Sequence, residues 1–135
     1  IQVNENLLLL DDTYNANVDS LQAAIDVLKG YDAFRILLVG DMKELGEDSL
    51  KCHRQVGEHA KQAKLDLVLS YGTESAVISE AVLGKHFTDK AELTAYALDI
   101  IKQKLQENQK VVVLAKGSRS MKMEETIYSL KDSLC

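Results

Sequence analysis

Clusters of small polar and charged residues follow four apolar runs of this sequence. The first cluster is DDTYNAN at residues 11–17, directly after four leucines. The others are GDMKELG at residues 40–46, SYGTES at residues 70–75 and KGSRS at residues 116–120. Aspartate, asparagine, serine and lysine are side chains that bind polar or charged ligands. The four clusters are therefore the candidate ligand-binding segments.

The charges in these segments suit two kinds of ligand group. Lys116 and Arg119 precede the predicted last helix, whose N-terminal amides also favour an anion, so a carboxylate or a phosphate fits there. The carboxylates of Asp11, Asp12 and Asp41 suit ribose hydroxyl groups or a magnesium ion. The alternative to ligand binding is a structural role for each residue. An aspartate can cap the following turn, and Lys116 can pair with a carboxylate across the sheet.

Apolar runs predict the strands that position these segments. Buried strands are predicted at residues 7–11, 35–40, 67–71 and 111–115, and a short one at residues 86–87. The turn residues Asn4-Glu5-Asn6 predict that Ile1–Val3 pairs antiparallel with the leucine run.

Amphipathic segments separate the strands and predict helices. In the first of them, Leu21, Ala24, Ile25 and Leu28 recur at helical spacing. A shorter helix is predicted over residues 74–83. Gly30 is expected to end the first helix. The predicted N-caps are Asn17 or Asp19 for the first helix, Asp89 for the fourth and Ser118 or Ser120 for the last.

Alternation of strands and helices predicts the fold class. We expect an α/β domain with a Rossmann-like open twisted sheet, mostly parallel with one antiparallel edge strand, and helices on both faces. In such sheets ligands bind outside the carboxyl ends of the strands. All four polar segments follow predicted strands, so they should meet at one edge and form a ligand crevice.

Composition excludes several classes of protein. The chain has 135 residues, long enough for one domain with a real core, and a net charge of -5, which argues against a general binder of nucleic acid or anionic membranes. Its apolar runs are too short for membrane insertion and no secretion signal is evident, so we expect a cytoplasmic protein. Cys52 and Cys135 are expected to be reduced thiols, and the three histidines lack zinc spacing.

Several catalytic motifs are absent from the sequence. It contains no GxxxxGK[ST] phosphate-binding loop, no GxGxxG dinucleotide fingerprint and no GxSxG nucleophile elbow. By itself the chain therefore lacks a complete catalytic apparatus, and we expect no catalytic residues in this domain alone.

Three long segments resemble the C-terminal domain of the Mur ligases. They are DDTYNANVDSLQAAI, VGDMKELGEDSLKCHRQVGEHA and KGSRSMKMEE, and the likeness covers nearly the whole chain. The likeness is strongest to the member of this family that adds D-alanyl-D-alanine to UDP-N-acetylmuramoyl-tripeptide. It implies that residues 1–135 are a single domain, the third of a three-domain ligase.

The resemblance also implies cofactors and partners. ATP with Mg²⁺ would activate the tripeptide carboxylate as an acyl phosphate, and most magnesium ligands would come from the central domain. The partners would be the N-terminal and central domains of the same protein, together with the two substrates, in a monomeric enzyme that is inactive as this domain alone.

Site residues follow from the same resemblance. The residues implied for ATP are Asp12, Asn15, Asn17, Asp41 and Lys43. Those implied for D-alanyl-D-alanine are Tyr14, Tyr71, Lys116, Ser118 and Arg119. Either Lys116 or Arg119 would pair with the dipeptide carboxylate. Met42 and Leu45 would either pack against the central domain or anchor their own loop.

Two other classes of protein remain as alternatives. A phosphoacceptor receiver domain also has adjacent aspartates after one strand and a lysine after another. However, no aspartate ends the predicted strand at residues 67–71, and no proline follows Lys116. The other alternative is a stand-alone nucleotide-binding regulatory module without catalysis.

Overall fold

Six strands alternate with five helices in the part of the chain that the structure, a computed structural model, describes: residues 1–13, 16–43 and 45–134. The strands are β1 (Gln2–Asn4), β2 (Leu7–Asp11), β3 (Phe34–Gly40), β4 (Leu67–Tyr71), β5 (Lys85–Phe87) and β6 (Val111–Lys116). The helices are α1 (Val18–Lys29), α2 (Ser49–Ala63), α3 (Ala76–Ala81), α4 (Lys90–Gln106) and α5 (Glu124–Leu134). Short 3₁₀ turns cover Gly46–Asp48 and Arg119–Met121.

All six strands form one sheet, in the order β1-β2-β6-β3-β4-β5. Strand β1 is antiparallel to β2, and every other pair is parallel. The predicted fold class is confirmed, including the antiparallel edge strand. The four long predicted strands agree with the structure to within one residue at each end.

Each face of the sheet carries its own apolar core. In β3, Ile36 and Leu38 belong to the core beneath α4 and α5, whereas Leu37 and Val39 belong to the core beneath α1, α2 and α3. Alternate side chains of a strand point to opposite faces, so a strand covered on both sides must be apolar throughout. This explains the unbroken apolar runs of the sequence.

Two of the predicted N-caps are confirmed. The Asn17 side chain accepts a hydrogen bond from the Ser20 amide at 2.8 Å, and the Ser20 hydroxyl accepts one from the Asn17 amide at 3.0 Å. The Asp89 carboxylate accepts from the Ala91 amide at 2.9 Å at the start of α4. Gly30 follows α1 as expected, but with φ -73° it has a conformation open to any residue.

The predicted start of the last helix is wrong. Residues 119–121 form a 3₁₀ turn, Lys122 adopts a left-handed conformation with φ 50°, and α5 begins only at Glu124. The Ser118 hydroxyl accepts instead from the Lys43 amide at 2.7 Å, so it ties two loops together and caps no helix. The helix amides expected beside Lys116 and Arg119 are therefore not at that position.

Helix α3 is shorter than the predicted residues 74–83. The amides before it are bound by the side chain of Asp41. At its other end the Gly84 amide donates to the Ser79 carbonyl at 2.7 Å, which turns the chain into β5. Among the described residues, no helix is both long and apolar enough to cross a membrane.

Two glycine substitutions should have opposite effects on stability. Gly30→Ala should stabilise the chain by about 0.4–1 kcal/mol, because its backbone suits alanine and the unfolded chain loses freedom. Gly84→Ala should destabilise it by about 2–3 kcal/mol, because a Cβ there would lie 2.0 Å from the Val68 carbonyl oxygen. Urea unfolding of the 135-residue chain measures both, and equal effects would contradict the geometry.

Candidate functional site

The polar segments meet at the carboxyl edge of the sheet, as predicted. The parallel registers place Asp11 beside Ala115, Val39 beside Lys116 and Gly40 beside Tyr71. Strands β2, β6, β3 and β4 therefore end side by side, and the loops that follow them share one edge.

Lys116 is buried and forms an ion pair with Asp12. Its side chain is 4% exposed, and its Nζ lies 3.1 Å from Asp12 Oδ2 on the neighbouring strand's loop. The Asp12 side chain is 50% exposed, so it keeps a solvent-facing oxygen surface. A buried ammonium group requires such a partner, because an unpaired charge away from water is very costly. The structure thus shows the structural role predicted as the alternative for Lys116, an ion pair with a carboxylate across the sheet.

The carboxylate of Asp41 is fully buried and binds the loop after β4. Its Oδ2 accepts from the Thr73 amide at 2.9 Å, and its Oδ1 accepts from the amides of Glu74 at 3.1 Å and Ser75 at 2.9 Å. Gly72 passes so close that a Cβ would lie 2.4 Å from Oδ1, and its φ of 126° also requires glycine. Asp41 therefore holds the neighbouring loop in place.

These hydrogen bonds control the ionisation of Asp41. Burial by itself would raise the pKa of this carboxyl, but the bonds from Thr73, Glu74 and Ser75 outweigh it and hold the pKa below the ordinary value of 3.8. The carboxylate is consequently charged at neutral pH and has its acceptor positions directed into the protein. Direct contact between Asp41 and a nucleotide stays a prediction, and the burial of the carboxylate does not favour it.

Further hydrogen bonds join the loop after β3 to the loop after β6 and to helix α2. The Ser118 amide donates to the Asp41 carbonyl at 3.0 Å, which adds the loop after β6. On the other side, the Met42 amide donates to Nε2 of the buried His53 at 3.0 Å, and His53 Nδ1 lies 2.7 Å from the Ser49 carbonyl. These contacts assign a neutral His53 with its proton on Nδ1.

Arg119 is the cation of the site that remains mostly exposed. Its side chain is 60% exposed, and Nη1 donates to Glu124 Oε1 at 2.5 Å. This hydrogen bond raises the pKa of Arg119. Burial alone would raise the pKa of Glu124, but the bond from Arg119 helps to hold it below its ordinary value. In the described chain, the other oxygen of Glu124 is buried without a hydrogen-bond partner.

An open groove of about 320 Å³ lies beside this ion pair. The residues that line it are Asp11, Asp12, Thr13, Arg119, Glu124 and Tyr128. The Thr13 hydroxyl donates to Asp11 Oδ1 at 2.5 Å, which fixes one wall. A groove with carboxylates on one side and a guanidinium group on the other can bind a ligand that carries both hydroxyl or ammonium groups and an anion.

Tyr71 and Lys90 complete the edge on the side of β4. Tyr71 is half-buried, and the ammonium group of Lys90 lies 5.7 Å from the centre of its ring. Lys90 Nζ also donates to the carbonyls of Met121 at 3.0 Å and Lys122 at 3.1 Å, and it pairs with Glu125.

The remaining predicted site residues fall into three groups. Lys43 has its Nζ 3.6 Å from Asp41 Oδ2, and Asn17 uses its side-chain oxygen as the cap of α1. Met42 is fully buried in the core and Leu45 is half-buried against it, which favours the prediction that both anchor their own loop. Tyr14 and Asn15 lie outside the described residues, and so do Glu44 and Cys135, for which no site role was predicted.

Sequence reasoning identified neither Lys90 nor Glu124 as a residue of the site. A usable signal existed for Lys90, because a lysine at the first position of a helix opposes the helix dipole. No sequence pattern indicates that Glu124 pairs with Arg119, since that contact depends on the 3₁₀ turn between them.

Metal ligation finds little support in the described part of the chain. No group of three or more histidine, cysteine, aspartate or glutamate side chains is arranged there to hold an ion. Asp12 and Asp41, the aspartates nearest to such a role, are bound to Lys116 and to loop amides respectively. Asp41 in particular does not fit a magnesium ligand, because both of its oxygens accept hydrogen bonds from loop amides.

An open, mostly parallel sheet with a polar carboxyl edge defines the class of fold: an α/β domain whose candidate site lies at that edge. The chain belongs to the Mur ligase family, because residues 1–119 match the family described as Mur ligase, glutamate ligase domain. The resemblance stated from the motifs is thereby confirmed.

Relatives that match most of this chain are ligases of one kind. A UDP-N-acetylmuramoyl-tripeptide–D-alanyl-D-alanine ligase of Haemophilus influenzae is 72% identical over 134 residues, which cover 99% of this chain and 29% of that protein. The ligase of the same name from Escherichia coli is 49% identical over 98% of this chain and 29% of its own length. The chain thus spans about 29% of these relatives.

A solved structure supports the same relationship. The crystal structure of a MurF ligase from Thermotoga maritima in complex with ADP superposes with a TM-score of 0.81 at 28% identity. The match covers 97% of this chain and 29% of that one.

Replacing Asp41 by asparagine should remove a pH-dependent part of the stability. The ionised carboxylate stabilises the fold above the ordinary pKa of 3.8, and this contribution is lost as the pH falls through the lower pKa of the folded state. We expect Asp41→Asn to cost about 2–3 kcal/mol at pH 7, because loop amides lose their acceptor, and less below pH 3.8.

Urea unfolding at pH 7 and at pH 3 measures this difference. Asp32→Asn, at an exposed position, is the control and should change little at either pH. A cost for Asp41→Asn that is the same at both pH values would contradict the assignment.

Proposed function

We propose that this chain is the C-terminal, third domain of a ligase that adds D-alanyl-D-alanine to UDP-N-acetylmuramoyl-tripeptide in peptidoglycan precursor synthesis. The observation that carries the proposal is the convergence of the loops after β2, β3, β4 and β6 on one open edge. The names of the relatives and their identity over nearly the whole chain support it. The groove beside Arg119 is open to solvent, which is compatible with a site that another domain completes.

The nucleotide side of the site is proposed to lie at Asp12. Its carboxylate is half exposed and held by Lys116, so it can accept hydrogen bonds from the ribose hydroxyls of ATP without leaving Lys116 unpaired. The ADP complex of the Thermotoga maritima relative supports nucleotide use. Asn15 is proposed to contact the nucleotide, and Lys43 faces the same edge. Asn17 is proposed to act by capping α1, and Asp41 by holding the loop after β4.

The dipeptide side is proposed to include Arg119 and Tyr71. Arg119 uses one nitrogen for Glu124 and is otherwise exposed, so it has donors left for the carboxylate of D-alanyl-D-alanine. Lys116 is buried against Asp12, which makes Arg119 the better candidate of the two cations. Tyr14 and Tyr71 would form walls, and Ser118 would keep the loop in register with Lys43.

The proposed reaction forms an amide through an acyl phosphate. ATP transfers its γ-phosphoryl group to the terminal carboxylate of the tripeptide and leaves as ADP. The dipeptide amine then attacks the acyl carbon, loses a proton and releases phosphate. This chain would orient the dipeptide and exclude water when the domains close. Most ligands for Mg²⁺ are proposed to come from the central domain, and no step here depends on that ion.

Replacing Arg119 by alanine in the full-length ligase should raise the KM for D-alanyl-D-alanine by about 10- to 100-fold, because a charge-assisted hydrogen bond is lost. The KM for ATP should change less than twofold or so. Steady-state kinetics measures both, with Arg54→Ala on the exposed side of α2 as the control. An unchanged KM for the dipeptide would remove Arg119 from this role.

The isolated chain should bind ATP weakly, with a Kd above about 1 mM, because it offers only one wall of the site. Isothermal titration calorimetry tests this prediction, with the full-length protein as the positive control. Micromolar binding by the isolated chain would instead favour a stand-alone nucleotide-binding module.

A further inference from the structure

Lys90 occupies a position that its own helix does not favour. It is the first residue of α4, directly after the N-cap Asp89. The unpaired amides at a helix N-terminus create partial positive charge, so a cation there is repelled. Its side chain is only 20% exposed. Contacts outside α4 must therefore hold Lys90 where it lies.

Those contacts join α4 to the turn that carries Arg119. Lys90 Nζ donates to the Met121 carbonyl at 3.0 Å and to the Lys122 carbonyl at 3.1 Å, at the C-terminal end of the 3₁₀ turn. The partial negative charge of these carbonyls favours an ammonium group. Lys90 Nζ also donates to the carboxylate of Glu125, at the start of α5. Lys90 thus stabilises the left-handed residue that follows the turn.

The same ammonium group lies against Tyr71, 5.7 Å from the centre of its ring. Strand β4, which ends at Tyr71, does not neighbour β6, because β3 lies between them. Both strands pair with β3, but that pairing includes neither the ring of Tyr71 nor the turn at residues 119–121. The side chain of Lys90 contacts both the ring of Tyr71 and the turn.

We propose that Lys90 is a positioning residue for D-alanyl-D-alanine binding, because it holds the ring of Tyr71 and the turn that carries Arg119 in one fixed arrangement. The inference rests on the proposed function and adds a residue to it. Lys90 touches neither substrate; it acts by holding the two walls of the dipeptide subsite. Its removal lets the turn and the ring move independently and weakens dipeptide binding, whereas the nucleotide side at Asp12 stays intact.

Substitution of Lys90 in the full-length ligase tests this role. Lys90→Met removes the charge and keeps much of the length, and we expect the KM for D-alanyl-D-alanine to rise about tenfold, since small displacements of positioning groups are costly. The KM for ATP stays within about twofold. Lys90→Arg retains the charge and restores most of the dipeptide affinity. If Lys90→Met does not fold, Lys90→Gln is used in its place.

Lys104→Met is the matched control on the same helix. Lys104 also lies over an aromatic ring, 4.8 Å from the centre of Phe34, and pairs with Glu107 at 3.7 Å. It lies near the other end of α4, so its loss should leave both KM values unchanged. A Lys90→Met enzyme that is less stable but has an unchanged KM for the dipeptide would overturn the inference, and so would equal rises for both substrates.

Arg119→Ala separates the inference from the proposed function. If Arg119→Ala raises the KM for the dipeptide and Lys90→Met does not, only the role of Lys90 is wrong. If Lys90→Met raises it and Arg119→Ala does not, the role of Arg119 is wrong and Lys90 acts through Tyr71. If neither variant changes it, both assignments fail.

Discussion

The buried carboxylate of Asp41 is the constraint on which the candidate site depends. It accepts three backbone amides of the loop after β4, and its own carbonyl accepts the Ser118 amide from the loop after β6. A buried charge is tolerable only when its acceptor positions are filled, so the loops cannot separate without a large free-energy cost. One residue at the end of β3 therefore fixes the relative positions of three loops.

The other charges of the edge are also paired within the chain. Lys116 pairs with Asp12, Arg119 with Glu124 and Lys90 with Glu125. The pairs differ in exposure, and this difference separates their roles. A buried lysine such as Lys116 is held in place by its partner, whereas an exposed arginine keeps free donors and exchanges partners at little desolvation cost. The same edge thus combines fixed charges with one that is available to a ligand.

Local patterns predicted the fold well and the contacts of the site less well. The strands followed from apolar runs, and Asn17 followed from capping preferences, because both depend on neighbours in sequence. The start of α5 was predicted too early, because Ser118 is a good cap that the Lys43 amide has already engaged. Asp41 looked like a ligand-facing aspartate, since nothing nearby in sequence indicates that its acceptors lie in another loop.

The sequence by itself determined the α/β class, the strand positions, the family and the edge at which the polar segments meet. These features depend on the period of apolar residues, on turn chemistry and on motifs that are contiguous in the chain. Only the tertiary structure decided that Lys116 is buried against Asp12, that Arg119 is exposed and that Lys90 joins Tyr71 to the turn at residues 119–121. Such pairings link residues far apart in sequence, and their energies depend on burial and distance, which exist only once the sheet has assembled.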